Sequence, residues 1–395
     1  MYKESPFHIR TAELCLARSW QEWSGYFSAP AYGLDHSHEY IAVRTSCALF
    51  DVSPLYKYHI HGPDAERLLN RVVTRDVSRC PVGRVQYSLW CDDDGKVIDD
   101  GTLAHLDKNS YRMTAADPTM YWLQDNAFGM DVTIDDVTDE MGALALQGPT
   151  SRAVLKQLTS ADLDTLRYFG LLHTELAGVE VTITRTGYTG DLGYELWIGR
   201  EHAEPVWDAL LLAGEAYRLR PAGLLALDMA RIEAGLLLID VDFHSSNKVM
   251  YEIQKSSPFE LSLDWTVALE KEFFVGQSAL QAEKRHGIAC STVGLEVDLN
   301  GLETLFSEFG MPLTLPYQAW NDAIPVYGPD GQIGKATSGT WSPILKKYIV
   351  LARVPQKYAR PGVRVGLEVT IEGHRKPINA EVVQTPFFNP PRKMA

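Results

Sequence analysis

Two hydrophobic periods alternate along this chain. Apolar residues recur at every second position in VEVTIT (179–184) and YELWI (194–198), which predicts two strands around a bend at 185–193. The same period predicts a strand over 51–62, with Pro54 near its start. It also predicts a hairpin over 85–106 whose tip is Asp92, Asp93, Asp94 and Gly95. Helical spacing marks 36–50, running into a turn, and 62–74, whose first turn is acidic. Residues 111–127 read as strand, turn and helix. From 131 the grammar repeats: strands in VTIDDV and GALALQGP, a helix in TSRAVLKQL capped by Thr150 or Ser151, the strands around the bend, and a helix over 201–217. RPAGLLALDMARIEAGLLLI (220–239) reads as one helix, with Pro221 in its first turn and Asp228 pairing with Arg231 on its surface. Residues 244–269 read as loop, short helix and a strand carrying Trp265. Beyond about 285, short strands with Gly/Pro turns follow at regular spacing, as in a barrel or sandwich, and 301–322 reads as an insertion.

The expected fold class is α+β: two units of antiparallel sheet covered by helices, over 1–130 and 131–285, then a β domain over 286–395. The composition, 45% hydrophobic and 22% charged, is that of an ordinary globular protein. A net charge of −14 argues against nucleic acid or an anionic membrane as the main partner. No apolar run reaches the ~18 residues of a membrane span. The start, MYKESPFHIRT, lacks a signal-peptide core, so a cytoplasmic location is expected. Five scattered cysteines read as reduced thiols. His59 and His61, two apart, would share one face of a strand, but no zinc pattern occurs and no metal is expected. Dinucleotide and nucleotide-triphosphate loops are missing too.

The bend carries the most distinctive chemistry. Gly187, Gly190 and Gly193 recur every third residue, with Tyr188, Tyr194, Asp191 and Glu195 among them. Glycines let backbone approach a ligand, and rings with a carboxylate suit a flat, nitrogen-rich heterocycle. The competing reading is a tight turn whose tyrosines pack. Aromatic residues also crowd 1–35, namely Trp20, Trp23, Tyr26, Phe27 and Tyr32, as core or as a lid.

Eight segments in order resemble the glycine-cleavage T-protein family of folate-dependent one-carbon transferases: FDVSPLYKYHIHGPDA (50–65), YSLWCDDDGKVIDD (87–100), ALQGP (145–149), RTGYTGDLGYELWI (185–198), RPAGLLALDMARIEAG (220–235), SSPFELSLDW (256–265), FVGQSAL (274–280) and GKATSGTWSPILKKYIVLARV (334–354). The resemblance implies a cloverleaf of two ferredoxin-like α+β domains plus a C-terminal β-barrel, with tetrahydrofolate in a central opening. It makes Asp100 the carboxylate near the reacting nitrogens, where it can stabilise a cation, orient an amine or move a proton. It makes Glu195 the acceptor for the pterin edge. It puts Tyr87, Trp265 and Leu55 along the folate. Arg392, with Lys393, would meet the glutamate tail of folate or else belong to a frayed basic tail.

Departures from the pattern bear on activity. The family's glycine-cleavage members carry an arginine in the helix after RPAG, where this chain has Leu227, and a tyrosine where it has Ala104; His59 replaces a small apolar residue. A lipoyl carrier protein is therefore not expected as a partner. The expected function is transfer of a methyl group from a small O-, S- or N-methylated substrate to tetrahydrofolate. An ether donor needs a general acid, for which His59, Tyr56, Tyr26 and Tyr32 are candidates. A sulfonium or quaternary ammonium favours an aromatic cage, which Trp23, Tyr26 and Tyr32 would supply. The alternatives are an aminomethyltransferase of glycine cleavage and a non-catalytic folate-binding regulatory protein. The second is disfavoured because no KGCYxGQE-like segment occurs.

Overall fold

The structure is a computed structural model and describes residues 2–395. Among the described residues the strands form two larger sheets, antiparallel but for one short parallel pairing, a two-stranded ribbon of Gln21–Trp23 and Tyr26–Ser28, and a barrel. The first sheet has five strands, in the order Arg84–Cys91, Val97–Asp107, Ser110–Ala115, Tyr56–His61 and Thr133–Asp136. Side chains alternate across it. Tyr58, Ile60, Trp90, Leu103 and Met113 point to one face, where Leu68, Leu69 and Val72 of the Ala65–Val72 helix and Leu123 of the Met120–Asn126 helix cover them. The opposite, inner face carries Tyr87, Asp100, Ala104, Arg112 and His59, set by the pairs Tyr87↔Thr102, Leu89↔Asp100, Ala104↔Arg112 and His59↔Arg112.

The second sheet runs Leu171–Leu176, Val179–Thr184, Gly193–Gly199, Met141–Gln147, Ala48–Asp51 and Arg220–Pro221. Leu144, Leu146, Leu196 and Ile198 face Trp207 and Leu210 of the Ala203–Gly214 helix. Glu195 and Trp197 alternate to the other face, where Trp197 packs with Ala226 and Ala230 of the Leu224–Glu233 helix. The inner faces of both sheets therefore present polar groups toward one another. The barrel closes in the order Cys290–Val297, Lys347–Pro355, Gly331–Ser342, Ile324–Gly328, Arg364–Ile371 and His374–Val383.

Several expectations are corrected. The boundary expected at 130 does not separate the sheets. Ala48–Asp51 pairs with Met141–Gln147 in the second sheet, and Thr133–Asp136 pairs with Tyr56–His61 in the first. Pairing between segments distant in sequence leaves no mark on local periodicity. Pro221 lies in a short parallel strand against Leu49, and the helix starts only at Leu224. Arg231 is not on a surface: it is fully buried, bonded to Asp228 at 2.7 Å and also to Asp242. Neither Thr150 nor Ser151 caps its helix by side chain, and the Ser151 hydroxyl instead donates to the Leu192 carbonyl at 3.4 Å. Trp265 sits in a 3-10 turn, Asp264–Thr266, not a strand. The segment at 301–322 contributes much of the helix Leu299–Glu308, whose Leu302 and Phe306 are buried in the barrel core.

Candidate functional site

The bend at 185–193 is held from below by Gln147, which is fully buried. Gln147 Nε2 donates to the Thr186 carbonyl at 3.1 Å, and its Oε1 accepts from Thr189 Oγ1 at 2.8 Å. A Cβ on Gly187 or Gly193 would lie 2.0 or 2.2 Å from Gln147 Oε1, and one on Gly190 would lie 2.4 Å from Ala234 Cβ. The glycines thus make room for packed side chains, as the reading of a tight turn expects. Asp191 is held by Arg392 through two bonds of 2.6 and 2.8 Å. Arg392 and Lys393 lie in a 3-10 turn docked on the bend, with Lys393 Nζ 5.5 Å from the Tyr168 ring centroid, so this segment is not frayed. The Arg392 guanidinium fork is consequently engaged within the chain. Tyr194 is fully buried, and its hydroxyl accepts from Arg152 Nε at 2.9 Å.

What the bend offers outward is Glu195 and Tyr188. Glu195 Oε2 accepts from Thr186 Oγ1 at 2.5 Å, and burial raises its carboxyl pKa against the opposing pull of Thr186 and Arg112. The Tyr188 hydroxyl donates to the Leu237 carbonyl, and burial raises its pKa, with the Asp100 charge adding to the rise and Arg231 opposing it.

On the facing sheet, Asp100 is half-buried, and burial pushes its carboxyl pKa up to about 6, with the Tyr87 hydroxyl limiting the rise. Asp99, beside it, is fully buried and rises well above the ordinary range through burial and repulsion from Asp100. Its oxygens accept from the backbone N–H groups of Asp100, Ala116 and Asp117, so Asp99 fixes the strand end while Asp100 faces inward. Tyr87 stacks on Trp265 at 5.9 Å between centroids, and Arg75 locks the pair, its guanidinium 5.4 Å from the Trp265 ring and bonded to the Tyr87 carbonyl at 3.2 Å. Trp265 remains 57% exposed, so an aromatic face is open beside Asp100. Leu55 is half-buried in the turn before its strand, where its carbonyl and that of Ser53 accept from the buried Lys57 ammonium at 2.8 and 2.7 Å.

The structure thus brings Asp100, Tyr87 and Trp265 together, with Tyr188 beside them. It does not bring His59 there. His59 is two strands over and four residues along, about 16 Å by strand geometry. Its Nε2 bonds Ser110 Oγ at 2.9 Å, and its ring stacks on His61 at 4.7 Å. His59, His61 and Asp135 hold their ligand atoms within 4.8 Å of one another. Those donors already have partners, since His61 Nε2 meets Asp135 at 3.1 Å. Tyr26 is 3% exposed with its hydroxyl on Asp139, and Tyr32 is 7% exposed in the core, so no open cage forms from them. Their rings are covered because the N-terminal segment packs into the second sheet. Tyr56 is half-buried, and burial with the charge of Asp117 keeps its hydroxyl protonated.

Three protein-family comparisons bear on this geometry. The GCVT N-terminal domain model matches residues 11–271, and the glycine cleavage T-protein C-terminal barrel domain model matches residues 313–389. The chain belongs to the glycine-cleavage T-protein family. An aminomethyltransferase of Halothermothrix orenii is 34% identical over 371 residues, covering 93% of this chain and 95% of that protein. The trimethylamine-oxide aldolase of Ruegeria pomeroyi is 34% identical over 404 residues, covering 99% of this chain but 47% of that longer protein. The crystal structure of the glycine cleavage system aminomethyltransferase T from Bartonella henselae superimposes with a TM-score of 0.83 at 24% identity, over 98% of this chain and 99% of that one, which shows the shared fold.

T-protein family enzymes are one-carbon transferases that use tetrahydrofolate. The residues present fit that group: Glu195 offers a carboxylate for an aminopyrimidine edge, and Tyr87, Trp265 and Tyr188 offer ring faces near Asp100. Sequence reasoning singled out Tyr188 in the bend but missed Arg112 as an inner-face residue. For Arg112 a signal existed: in SYRMTA it alternates with Tyr111, Met113 and Ala115, which marks a cation on the face opposite the helices. All five cysteines are free, and among the described residues no helix is long and apolar enough to cross a membrane.

Proposed function

We propose that the protein is a tetrahydrofolate-dependent demethylase, which moves a methyl group from a small O-, S- or N-methylated compound to tetrahydrofolate and yields 5-methyltetrahydrofolate. One observation carries the choice of branch. Leu227 stands where glycine-cleavage members have an arginine; it is 8% exposed in an apolar cluster with Ala226 and Phe50, while Asp100 keeps its inward position. The likeness to a trimethylamine-oxide aldolase over 99% of this chain supports a methylated donor, and the likeness to aminomethyltransferases keeps glycine cleavage as the competing reading.

Glu195 and the ring faces of Tyr87 and Trp265 hold the cofactor. When bound, tetrahydrofolate supplies N5 as the methyl acceptor. Asp100, ionised above about pH 6, orients the acceptor amine and takes the proton that the methyl group displaces. Most of the rate then comes from holding donor and acceptor in line. Tyr56 packs on the helix-covered face of the first sheet with Tyr58 and Ile60, away from Asp100, so it is not the acid for a leaving ether oxygen. A cationic donor needs no such acid and is steadied by Trp265 and by the Asp100 charge.

The test is incubation with tetrahydrofolate and a panel of methoxy-aromatic, methylsulfonium and methylamine compounds, with 5-methyltetrahydrofolate as the readout. A lipoyl-bound aminomethyl donor giving 5,10-methylenetetrahydrofolate, with no product from the panel, refutes the demethylase reading in favour of glycine cleavage.

A further inference from the structure

We propose that the cleft above Arg112 is a second binding site, for a small carboxylate with an apolar body. This cleft lies between the two sheets, encloses about 640 Å³ and is lined in part by His59, Arg112, Val137, Met141, Thr182 and Arg200. That volume is of ligand size. Arg112 stands one strand over and four residues along from Asp100, about 14 Å by strand geometry, so the cleft is apart from the Tyr87–Trp265 face while adjoining the Glu195 side.

The argument rests on Arg112. It is 3% exposed, and its Nε is buried with no hydrogen-bond partner. Its guanidinium lies 3.9 Å from the Trp197 ring centroid, stacked rather than bonded. Room for it exists because its cross-strand neighbour is Ala104. Among the described residues Glu195 is the opposite charge that acts on it, and it does so at a distance, without an ion-pair contact. Burial lowers the guanidinium pKa only to about 9, so it stays charged at neutral pH. A buried cation with open donors is costly unless an acceptor completes it. A carboxylate fits that planar fork through two parallel bonds.

Three acids, Asp139, Glu140 and Glu201, stand exposed at the mouth of the cleft, and of these Asp139 is held by hydrogen bonds. Asp139 accepts from Lys3 Nζ at 2.7 Å and from the Tyr26 hydroxyl, and Glu201 lies 3.6 Å from His202 Nε2. The deep charge is therefore the unpartnered arginine, with Arg200 at the rim and Val137 and Met141 as apolar walls. The carboxylate has two possible sources, the methyl donor itself or a separate effector.

The full-length protein is titrated calorimetrically with benzoate and with benzamide, with and without saturating tetrahydrofolate. The expected result is benzoate binding at least about tenfold tighter than benzamide, equally with and without folate. Arg112→Gln erases that preference; because Arg112 also acts on Glu195, folate affinity is followed in Thr182→Trp, where it stays within about threefold. Should Arg112→Gln fail to fold, Thr182→Trp fills the cleft from its wall and must abolish benzoate binding in the same way. Three results overturn the proposal: no benzoate binding by the wild type, binding that survives both variants, or loss of benzoate binding when folate is added. A 4-methoxybenzoate arm separates the sources. Its demethylation with a KM raised by Arg112→Gln assigns the carboxylate to the donor, whereas binding without conversion or competition assigns it to an effector. Failure of the whole methylated panel to turn over refutes the demethylase reading alone, because the benzoate titration does not depend on it.

Discussion

Asp100→Asn is expected to make the protein more stable and less active at once. The ordinary Asp pKa is about 3.9, and burial lifts that of Asp100 to about 6. A folded-state pKa above the unfolded one means that the native state holds its proton more tightly. Stability from that proton is fully present below the unfolded pKa and is lost as pH rises through about 6. The two-unit difference corresponds to about 3 kcal/mol at pH 8, about half of that at pH 5, and almost nothing below pH 4. Asparagine mimics the protonated form and keeps an oxygen for the Tyr87 hydroxyl, so it escapes this penalty. Repulsion from Asp99 falls too, and since the two acids titrate together the 3 kcal/mol is a ceiling shared with that neighbour. Urea unfolding of both proteins at pH 8 and pH 5 measures the difference, and turnover at pH 8 measures the cost. As a proton acceptor in the transition state, Asp100 is worth about 10²–10⁴-fold in rate. A variant no more stable than wild type at pH 8, or one whose advantage does not shrink at pH 5, refutes the electrostatic argument. Wild-type turnover by the variant refutes the role of Asp100.

Glu195→Gln removes the anionic acceptor and is expected to weaken folate binding by about 10–100-fold with kcat little changed, as calorimetry and steady-state kinetics can separate. Trp265→Ala deletes a ring that is 57% exposed, so stability stays within about 1 kcal/mol while folate affinity drops by up to about tenfold; a large fall in melting temperature would instead mark Trp265 as a packing residue. Gly187→Ala puts a Cβ 2.0 Å from Gln147 Oε1 and is expected to cost about 1–3 kcal/mol, with Gln147→Ala in the same chain recovering much of it; additive losses in the double variant would contradict the contact. Arg392→Ala leaves folate affinity within about threefold, because its fork is spent on Asp191; a tenfold loss would place Arg392 on the folate instead.

Much of the local structure was legible from periodicity. The strand pair around the bend, the hairpin with Gly95 at its tip and the helix Ala65–Val72 all lie where alternation or helical spacing put them. Each owes its form to residues near it in sequence. The boundary at 130 was not legible, because Ala48–Asp51 joins a sheet whose other main strands begin some 90 residues later. Trp265 looked like strand because aromatic and β-branched neighbours favour one, but the segment packs on the strand Arg84–Cys91 through its side chain and closes as a 3-10 turn, with Thr266 N–H donating to the Leu263 carbonyl. His59 looked like a pocket residue because it is ionisable and close in sequence to the folate-like motif. Strand register, which counts positions across neighbours, moved it two strands away from Asp100, into the cleft beside Arg112.

The sequence by itself determined the family, the α+β-then-β order and the acids and rings that the family motifs mark, because motif order is a one-dimensional property. Tertiary structure alone decided what those residues face. Alternation gives each strand two faces, but only the stacking of two sheets says that Asp100 and Glu195 both point inward. Only packing shows that the glycines of the bend serve Gln147 and Ala234. Only the burial of Arg112 against Trp197, with its Nε unpartnered, turns one more arginine in the chain into a demand for an anion. The physical reason is common to all three. Desolvation and steric contact depend on what lies across the gap, and the chain encodes that neighbour far from the residue it acts on.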